Sequence, residues 1–97
     1  MFSNDARWDR DLPSDNKEED AIEVGTLFRG GRIIPCMFVW QERRYKIKEV
    51  TCFWKEKKGS EALYNFSVTD GINLFQIVLN AHFMVWRLAK VLPLGES

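Results

Sequence analysis

The sequence predicts an all-β fold: a small antiparallel bent sheet, or partly open barrel, of five to six strands. Residues 62–69 alternate between apolar and mostly polar side chains, as a half-buried strand does. The pairs Gly30-Gly31 and Asp70-Gly71 are hairpin turn signals, because glycine adopts positive φ without steric cost. Within residues 45–54 the apolar side chains change phase, which indicates a bulge or bend in that strand.

The first half of the chain is expected to form three strands. The first begins at Ile22, and residues 29–32 form the turn after it. The second ends at Trp40, and its Pro35 lies at the strand's beginning or on a sheet edge because proline has no N–H to donate. After a turn at 41–44, the third strand runs from Tyr45 to Trp54 and bends near Lys48 and Glu49.

The second half is expected to add three more strands after a polar loop at 55–60. The first covers 62–69, and two further strands over 72–79 and 84–91 are joined at 80–83. A helix over 72–92 stays open as an alternative, because Asn73, Gln76, Asn80 and Arg87 recur at spacings of three, four and seven. The β-branched and aromatic content of the segment favours strands.

Charge is divided unevenly along a chain whose formal total is zero. Residues 1–20 hold seven acids and three bases, whereas 21–97 hold seven acids and eleven bases. We interpret 1–20 as a flexible acidic tail, 21–92 as the β-domain and 93–97 as a short C-terminal end. The neutral total gives no overall attraction to nucleic acid or to an anionic membrane.

Several features predict a cytoplasmic protein without membrane contact. The N-terminus is acidic and lacks the basic patch and apolar run of a signal peptide. The longest apolar stretch, 72–86, is interrupted by polar residues and is shorter than the roughly 20 residues of a bilayer span. Cys36 and Cys52 have no companion pair, which predicts buried thiols in a reducing compartment.

The polar residues do not predict an enzyme, a metal site or a cofactor. Glu23, Glu49, Asp70 and His82 share no spacing typical of acid–base catalysis. No cysteine or histidine spacing suits zinc, and Gly30-Gly31 lies in no phosphate-binding motif. We therefore expect a non-catalytic interaction module.

Protein–protein assembly, self-association included, is the first function that we expect. Both faces of the 72–79 strand are apolar, with Ile72, Leu74 and Val78 on one face and Phe75, Ile77 and Leu79 on the other. An antiparallel sheet usually leaves one face in water, so the second apolar face needs a cover. The cover is expected from the far side of the barrel itself, or from a protein partner or a second copy through Phe75, Ile77, Leu79 and Val85.

Weak binding of single-stranded nucleic acid is the alternative function. A basic segment with interleaved rings provides cations for phosphates and platforms for stacked bases. Its predicted members are Arg43, Arg44, Tyr45, Lys46, Lys48, Trp54, Lys55, Lys57 and Lys58. Lysines also protect sheet edges from aggregation, and Trp40, Tyr45 and Trp54 suit a core as well as a surface.

A resemblance covers roughly residues 21–92. The residues that carry it are Phe38-Val39-Trp40, Arg43, Tyr45, Ile47, Val50 and Trp54, followed by Trp86-Arg87-Leu88. This pattern resembles a family of short bacterial β-domains with the motif F-x-W-x-G-R-x-Y-x-V, a later Trp and a closing W-x-L strand. The resemblance implies a small curved sheet or barrel without an assigned activity, in a DNA-repair context for some members. Glu42 stands where the family has glycine, so the turn after Trp40 departs from the pattern.

Overall fold

The computed structural model describes residues 20–93, which consist of seven strands and their connections. The strands are β1 (Asp20–Arg29), β2 (Arg32–Trp40), β3 (Arg43–Lys46), β4 (Glu49–Lys58), β5 (Glu61–Thr69), β6 (Asn73–Asn80) and β7 (Val85–Pro93). The described part of the chain contains no helix able to cross a membrane. Residues 1–19 of the predicted tail and 94–97 of the predicted C-terminal end lie outside the described range.

All seven strands form one antiparallel sheet in the order β3-β2-β1-β7-β6-β5-β4, curled into a half-barrel. The predicted all-β class is confirmed, and the helix considered over 72–92 is replaced by β6 and β7. The strand count is seven, and not five to six, because the predicted third strand is divided at residues 47–48 into β3 and β4.

Residues 47–48 join the two edges of the sheet. β3 pairs with β2 and β4 pairs with β5, although these strands lie at opposite ends of the sheet order. Ile47 N donates to Cys36 O at 3.0 Å, and Lys48 N donates to Thr69 O at 2.8 Å. Two consecutive residues therefore bond to both halves of the sheet, which holds it in its curled shape.

The core fills the inner, concave face of the half-barrel. Its buried members are Ile22, Phe38, Phe66, Val68, Phe75, Ile77, Leu79 and Leu88. At one end Phe38 stacks on Tyr45, with ring centroids 5.0 Å apart and planes at 8°. Both rings meet Phe75 edge-on, at 5.0 and 5.4 Å, which is a favourable arrangement for aromatic side chains.

The turn between β5 and β6 is fixed by side chains, as the Asp70-Gly71 signal predicts. Asp70 Oδ1 accepts hydrogen bonds from Ile72 N at 2.9 Å and Asn73 N at 2.8 Å. Thr69 Oγ1 accepts from Gly71 N at 3.0 Å and donates to Asn73 O at 2.9 Å. The turn's polar backbone groups are therefore satisfied locally by the side chains of Thr69 and Asp70.

The polar loop predicted at 55–60 is wrong. β4 continues to Lys58 and pairs with β5 through Lys57↔Ala62 and Lys58↔Glu61, which leaves only residues 59–60 for the turn. The segment is polar because β4 is an edge strand, where charged side chains remain in water and discourage pairing with other chains.

The prediction of buried thiols is also wrong, since Cys36 and Cys52 are both exposed. The β1–β2 register passes from Gly25↔Met37 to Thr26↔Pro35, so Cys36 is the unpaired residue of a bulge. Cys52 faces away from the core on the edge strand β4, opposite Ser67.

Candidate functional site

The two faces of β4 carry different chemistry. Residues paired with core members of β5 face inward, so Phe53 opposite Phe66 and Lys55 opposite Tyr64 belong to the inner face. Trp54, opposite Asn65, lies on the outer, convex face. Consecutive side chains of this strand are therefore separated by the thickness of the sheet.

The structure does not bring the nine predicted nucleic-acid-binding residues onto one face. Arg44 and Lys46 pair with Val39 and Met37, which places them on the outer face near one edge of the sheet. Arg43 pairs with Trp40 at the end of β3, and Lys48 lies in the connection to β4. At the other edge Lys55 and Lys57 face inward, whereas Trp54 and Lys58 face outward.

Tyr45 and Trp40 belong to the core side and offer no free ring. Tyr45 is half-buried between Phe38 and Phe75, and its centroid is 5.9 Å from that of Trp40. Trp40 Nε1 donates to Asp20 Oδ2 at 2.9 Å, which fixes the indole against the start of β1. The sequence does not decide whether Trp40, Tyr45 and Trp54 belong to the core or to the surface. Of these three rings, only Trp54 faces outward.

Other rings form an accessible patch on the inner face. We define the inner aromatic patch as Phe53, Tyr64, Phe66 and Trp86. Phe53 lies 6.2 Å from Tyr64 and 5.0 Å from Phe66, and Phe66 lies 5.6 Å from Trp86, all between ring centroids. Phe53 is 47% exposed, and Lys55 Nζ lies 5.7 Å from the Tyr64 centroid.

Phe53, Tyr64 and Trp86 are not among the residues that the sequence predicts for a site. Tyr64 and Phe66 do stand in one phase of the alternating strand 62–69, which is the signal that places them together. The face of Phe53 could not be predicted, because the β4–β5 register shifts between Val50 and Cys52. An alternation counted from the inward-facing Val50 places Phe53 on the outer face, whereas it lies on the inner face.

A shallow groove crosses the outer face from β4 to β7. We name it the outer groove, and its lining residues are Trp54, Ser67, Leu74, Phe75, Gln76, Lys90 and Leu92. The small side chain of Ser67 leaves the depression between larger neighbours. Trp54 and Leu92 on its two sides are 37% and 52% exposed, so the groove presents apolar surface to solvent.

A polar ladder of side chains lies on the outer face, and its member Gln76 also lines the outer groove. Asn65, only 2% exposed, donates from Nδ2 to Glu56 Oε1 at 3.0 Å and accepts at Oδ1 from Gln76 Nε2 at 3.2 Å. Throughout residues 20–93 no buried side-chain nitrogen or oxygen is left without a partner. The ladder links three neighbouring strands, β4, β5 and β6.

The residues predicted for self-association lie mostly in the core. Phe75, Ile77 and Leu79 are 1%, 0% and 4% exposed, and Val85 is half-buried. This corrects the assignment of the first three to a contact surface, because the curled sheet covers their face itself. The apolar side chains that β6 and β7 turn outward include Leu74, Val78, Val85 and Leu92, of which Leu74 and Leu92 line the outer groove.

The acidic residues and the histidine considered for catalysis are scattered. Glu23, Glu49 and His82 are exposed at separate places, and His82 meets Phe83 edge-on at 4.6 Å. Asn80 Oδ1 accepts from His82 N and Phe83 N, so this turn too is held by a side chain. Among the described residues, no three His, Cys, Asp or Glu side chains group as metal ligands do.

Comparison with protein-family models, with curated proteins and with solved structures finds no match for this chain. The described residues present two candidate surfaces: the outer groove and the inner aromatic patch.

Proposed function

We propose that this protein is a non-catalytic interaction module that assembles through the outer groove, with a second copy of the same chain as its partner. The observation that carries the proposal is the exposure of Trp54 and Leu92 on the two sides of a groove that already contains Leu74. Exposed large apolar side chains gathered along one groove are typical of protein contact sites.

Charge supports a second copy as the occupant. The chain has a formal net charge of zero, so its copies do not repel one another overall. The surroundings of the groove carry both signs, with Glu56 on β4 and Lys90 on β7. A surface that is apolar at its centre and mixed in charge at its margin can be complementary to itself, as a two-fold interface requires.

The non-catalytic part of the proposal is supported by the roles of the polar groups. Asp70 and Asn80 hold turns, and Asn65 and Gln76 belong to the polar ladder on the outer face. These side chains are occupied in holding the backbone and one another, and they do not converge on a cavity in the way that catalytic groups do.

Sedimentation velocity over a range of protein concentrations tests the proposal. The weight-average mass of the full chain is expected to rise with concentration, and Leu92→Asp is expected to abolish the rise by placing a charge in the apolar groove. The matched control is Phe28→Asp, which alters a residue of β1 that is 68% exposed and does not line the groove. A mass that stays monomeric at all concentrations contradicts self-association. Equal effects of the two variants contradict the groove as its site.

A further inference from the structure

The inner aromatic patch is accessible on the side opposite the outer groove. Phe53 contacts Tyr64 and Phe66 and is nevertheless 47% exposed, and Tyr64 and Trp86 are half-buried. β4 is an edge strand of a half-barrel, so its inward side chains reach the open side of the curved sheet. The patch therefore offers ring surface to a ligand without any rearrangement of the core.

The cations beside the patch lie on the same face as its rings. Lys55 is opposite Tyr64 and Lys57 is opposite Ala62, which places both ammonium groups along the inner side of β4. The Lys55 Nζ lies 5.7 Å from the Tyr64 centroid, close enough for a cation–π contact. One exposed edge thus carries two positive charges next to a row of rings.

No acidic side chain faces inward on β4 or β5, which are described along their whole lengths. Glu56 is opposite Leu63 on the outer face, where it accepts from Asn65. Glu61 is opposite Lys58 and accepts from Asn80 Nδ2 at 3.0 Å, also on the outer face. No carboxylate on the inner face of β4 or β5 therefore neutralises the positive charge beside the patch.

From this arrangement we infer a binding site for single-stranded nucleic acid in the inner aromatic patch. An unpaired base stacks on Phe53, and Lys55 and Lys57 contact the phosphates on either side of it. Stacking on rings tolerates any base, because every base has a π-face, and lysine contacts to phosphate carry no sequence information. The site is expected to prefer single strands over duplexes, since paired bases do not expose their faces to the rings.

The rings distinguish this ligand from an acidic polypeptide. A run of carboxylates is attracted to Lys55 and Lys57, but it leaves the exposed Phe53 ring without a partner. A polynucleotide satisfies both parts of the surface. The inference is independent of self-association, because it concerns the other face of β4 and is measured by a different experiment.

Fluorescence anisotropy with a labelled oligothymidylate of about twelve nucleotides tests the site in the full-length protein. Binding at about 50 mM salt is expected to weaken several-fold toward about 200 mM as the two phosphate contacts are screened. An abasic oligomer of the same length keeps the phosphates and removes the bases, and it is expected to bind about tenfold more weakly. Equal binding of the two oligomers, or equal competition by polyglutamate, overturns the inference because charge alone then accounts for the affinity.

Variants locate the site. Phe53→Ala is expected to lose about tenfold in affinity for oligothymidylate through one lost base stack. Its matched control is Phe83→Ala, which changes a phenylalanine of nearly equal exposure, 49%, in the turn between β6 and β7. Lys55→Ala is expected to reduce the salt dependence by about 0.7 per lost phosphate contact, whereas the outward-facing Lys58→Ala leaves it almost unchanged.

Phe53 also packs on Phe66, so a second variant separates stacking from stability. Phe53→Leu keeps apolar bulk against the core and removes the π-face. It is expected to fold with the thermal midpoint of the native chain to within a few degrees and still to lose affinity for oligothymidylate. Native affinity in a folded Phe53→Leu protein, or equal losses in the Phe53 and Phe83 variants, overturns the inference.

Discussion

Gln41 and Glu42 form a two-residue turn between β2 and β3 although neither is glycine. Trp40 pairs with Arg43, so the hairpin has room for only these two residues, and both adopt positive φ, 54° and 65°. Two-residue hairpin turns require such values because their twist matches that of the strands. A side chain in the left-handed region is strained by about 1–2 kcal/mol.

Glu42→Gly is expected to stabilise the protein by about 0.5–1 kcal/mol, because relief of left-handed strain exceeds the entropy that glycine loses on folding. The thermal midpoint should rise by a few degrees in a calorimetric or circular dichroism melt. Glu42→Ala removes the same carboxylate but keeps the Cβ atom, so it is the control and should give no such gain. Equal stability of the Gly and Ala variants would show that backbone strain is not the cause.

Asn65 joins three strands by side-chain hydrogen bonds on the outer face. Asn65→Ala is expected to lower the free energy of unfolding by about 1–2 kcal/mol, since it removes bonds to Glu56 and Gln76 at a site that is 2% exposed. Ser67→Ala, on the same face of the same strand, should change it by less than about 0.5 kcal/mol. Urea melts of the two variants measure this difference. An equal loss of unfolding free energy in both would show that the hydrogen bonds of Asn65 add no particular stability.

Among the elements, the bent segment from β3 to β4 determines the shape of the sheet. Lys48→Pro removes the N–H that donates to Thr69 O, whereas Lys48→Ala keeps it. We expect the proline variant to lose about 1–3 kcal/mol of stability beyond the alanine variant, because the buried carbonyl loses its donor at the joint of the two edges. Hydrogen exchange should then be faster for amides of β3 and β4 than for those of β6. Uniform acceleration across all strands would contradict a local role for this joint.

Much of the element order follows from local signals in the sequence. The turns at 30–31 and 70–71 and the alternation of 62–69 are short-range features, and each reappears in the structure. The faces of β4 could not be assigned this way, because the bulge after Val50 reverses the phase of every later side chain.

The buried face of β6 could not be predicted either, for a different reason. A strand with two apolar faces does not reveal which one the sheet will enclose. That choice depends on the direction of curling, which residues 47–48 determine by contacts distant in sequence, to Cys36 and Thr69. The long polar end of β4 was likewise hidden, because an exposed edge strand and a loop have the same composition.

At the scale of the whole molecule, the two exposed thiols report on assembly. Cys52 lies on the outer face of β4, opposite the groove residue Ser67, whereas Cys36 lies in the β1–β2 bulge on β2, separated from β5 by three strands in the sheet order. If copies meet at the groove, alkylation of Cys52 should slow several-fold as protein concentration rises, because association covers it. Cys36 is the internal control and should react at a constant rate. Peptide mass spectrometry after brief labelling measures both, and parallel behaviour of the two thiols would contradict assembly at this face.

The uneven distribution of charge along the chain predicts how residues 1–19 influence the binding of a polyanion. Residues 1–19 hold six acids and three bases, whereas 20–97 hold eight acids and eleven bases. Deleting 1–19 therefore changes the net charge from zero to plus three. At low salt we expect the truncated chain to bind oligothymidylate several-fold more tightly, because the acidic segment repels phosphates within a Debye length of about 10 Å at 0.1 M.

A full-length variant in which the six acids of 1–19 become amides separates charge from bulk. If repulsion is the cause, this variant should bind oligothymidylate more tightly than the unmodified chain does. Its affinity should also exceed that of the truncated chain, because the three bases of 1–19 remain. Its advantage should shrink as salt rises from about 50 to 200 mM, since screening shortens the range of repulsion. An advantage confined to the deletion and absent from the amide variant would indicate that the segment covers the inner aromatic patch by its bulk. Unchanged affinity in both variants would show that residues 1–19 do not influence the site.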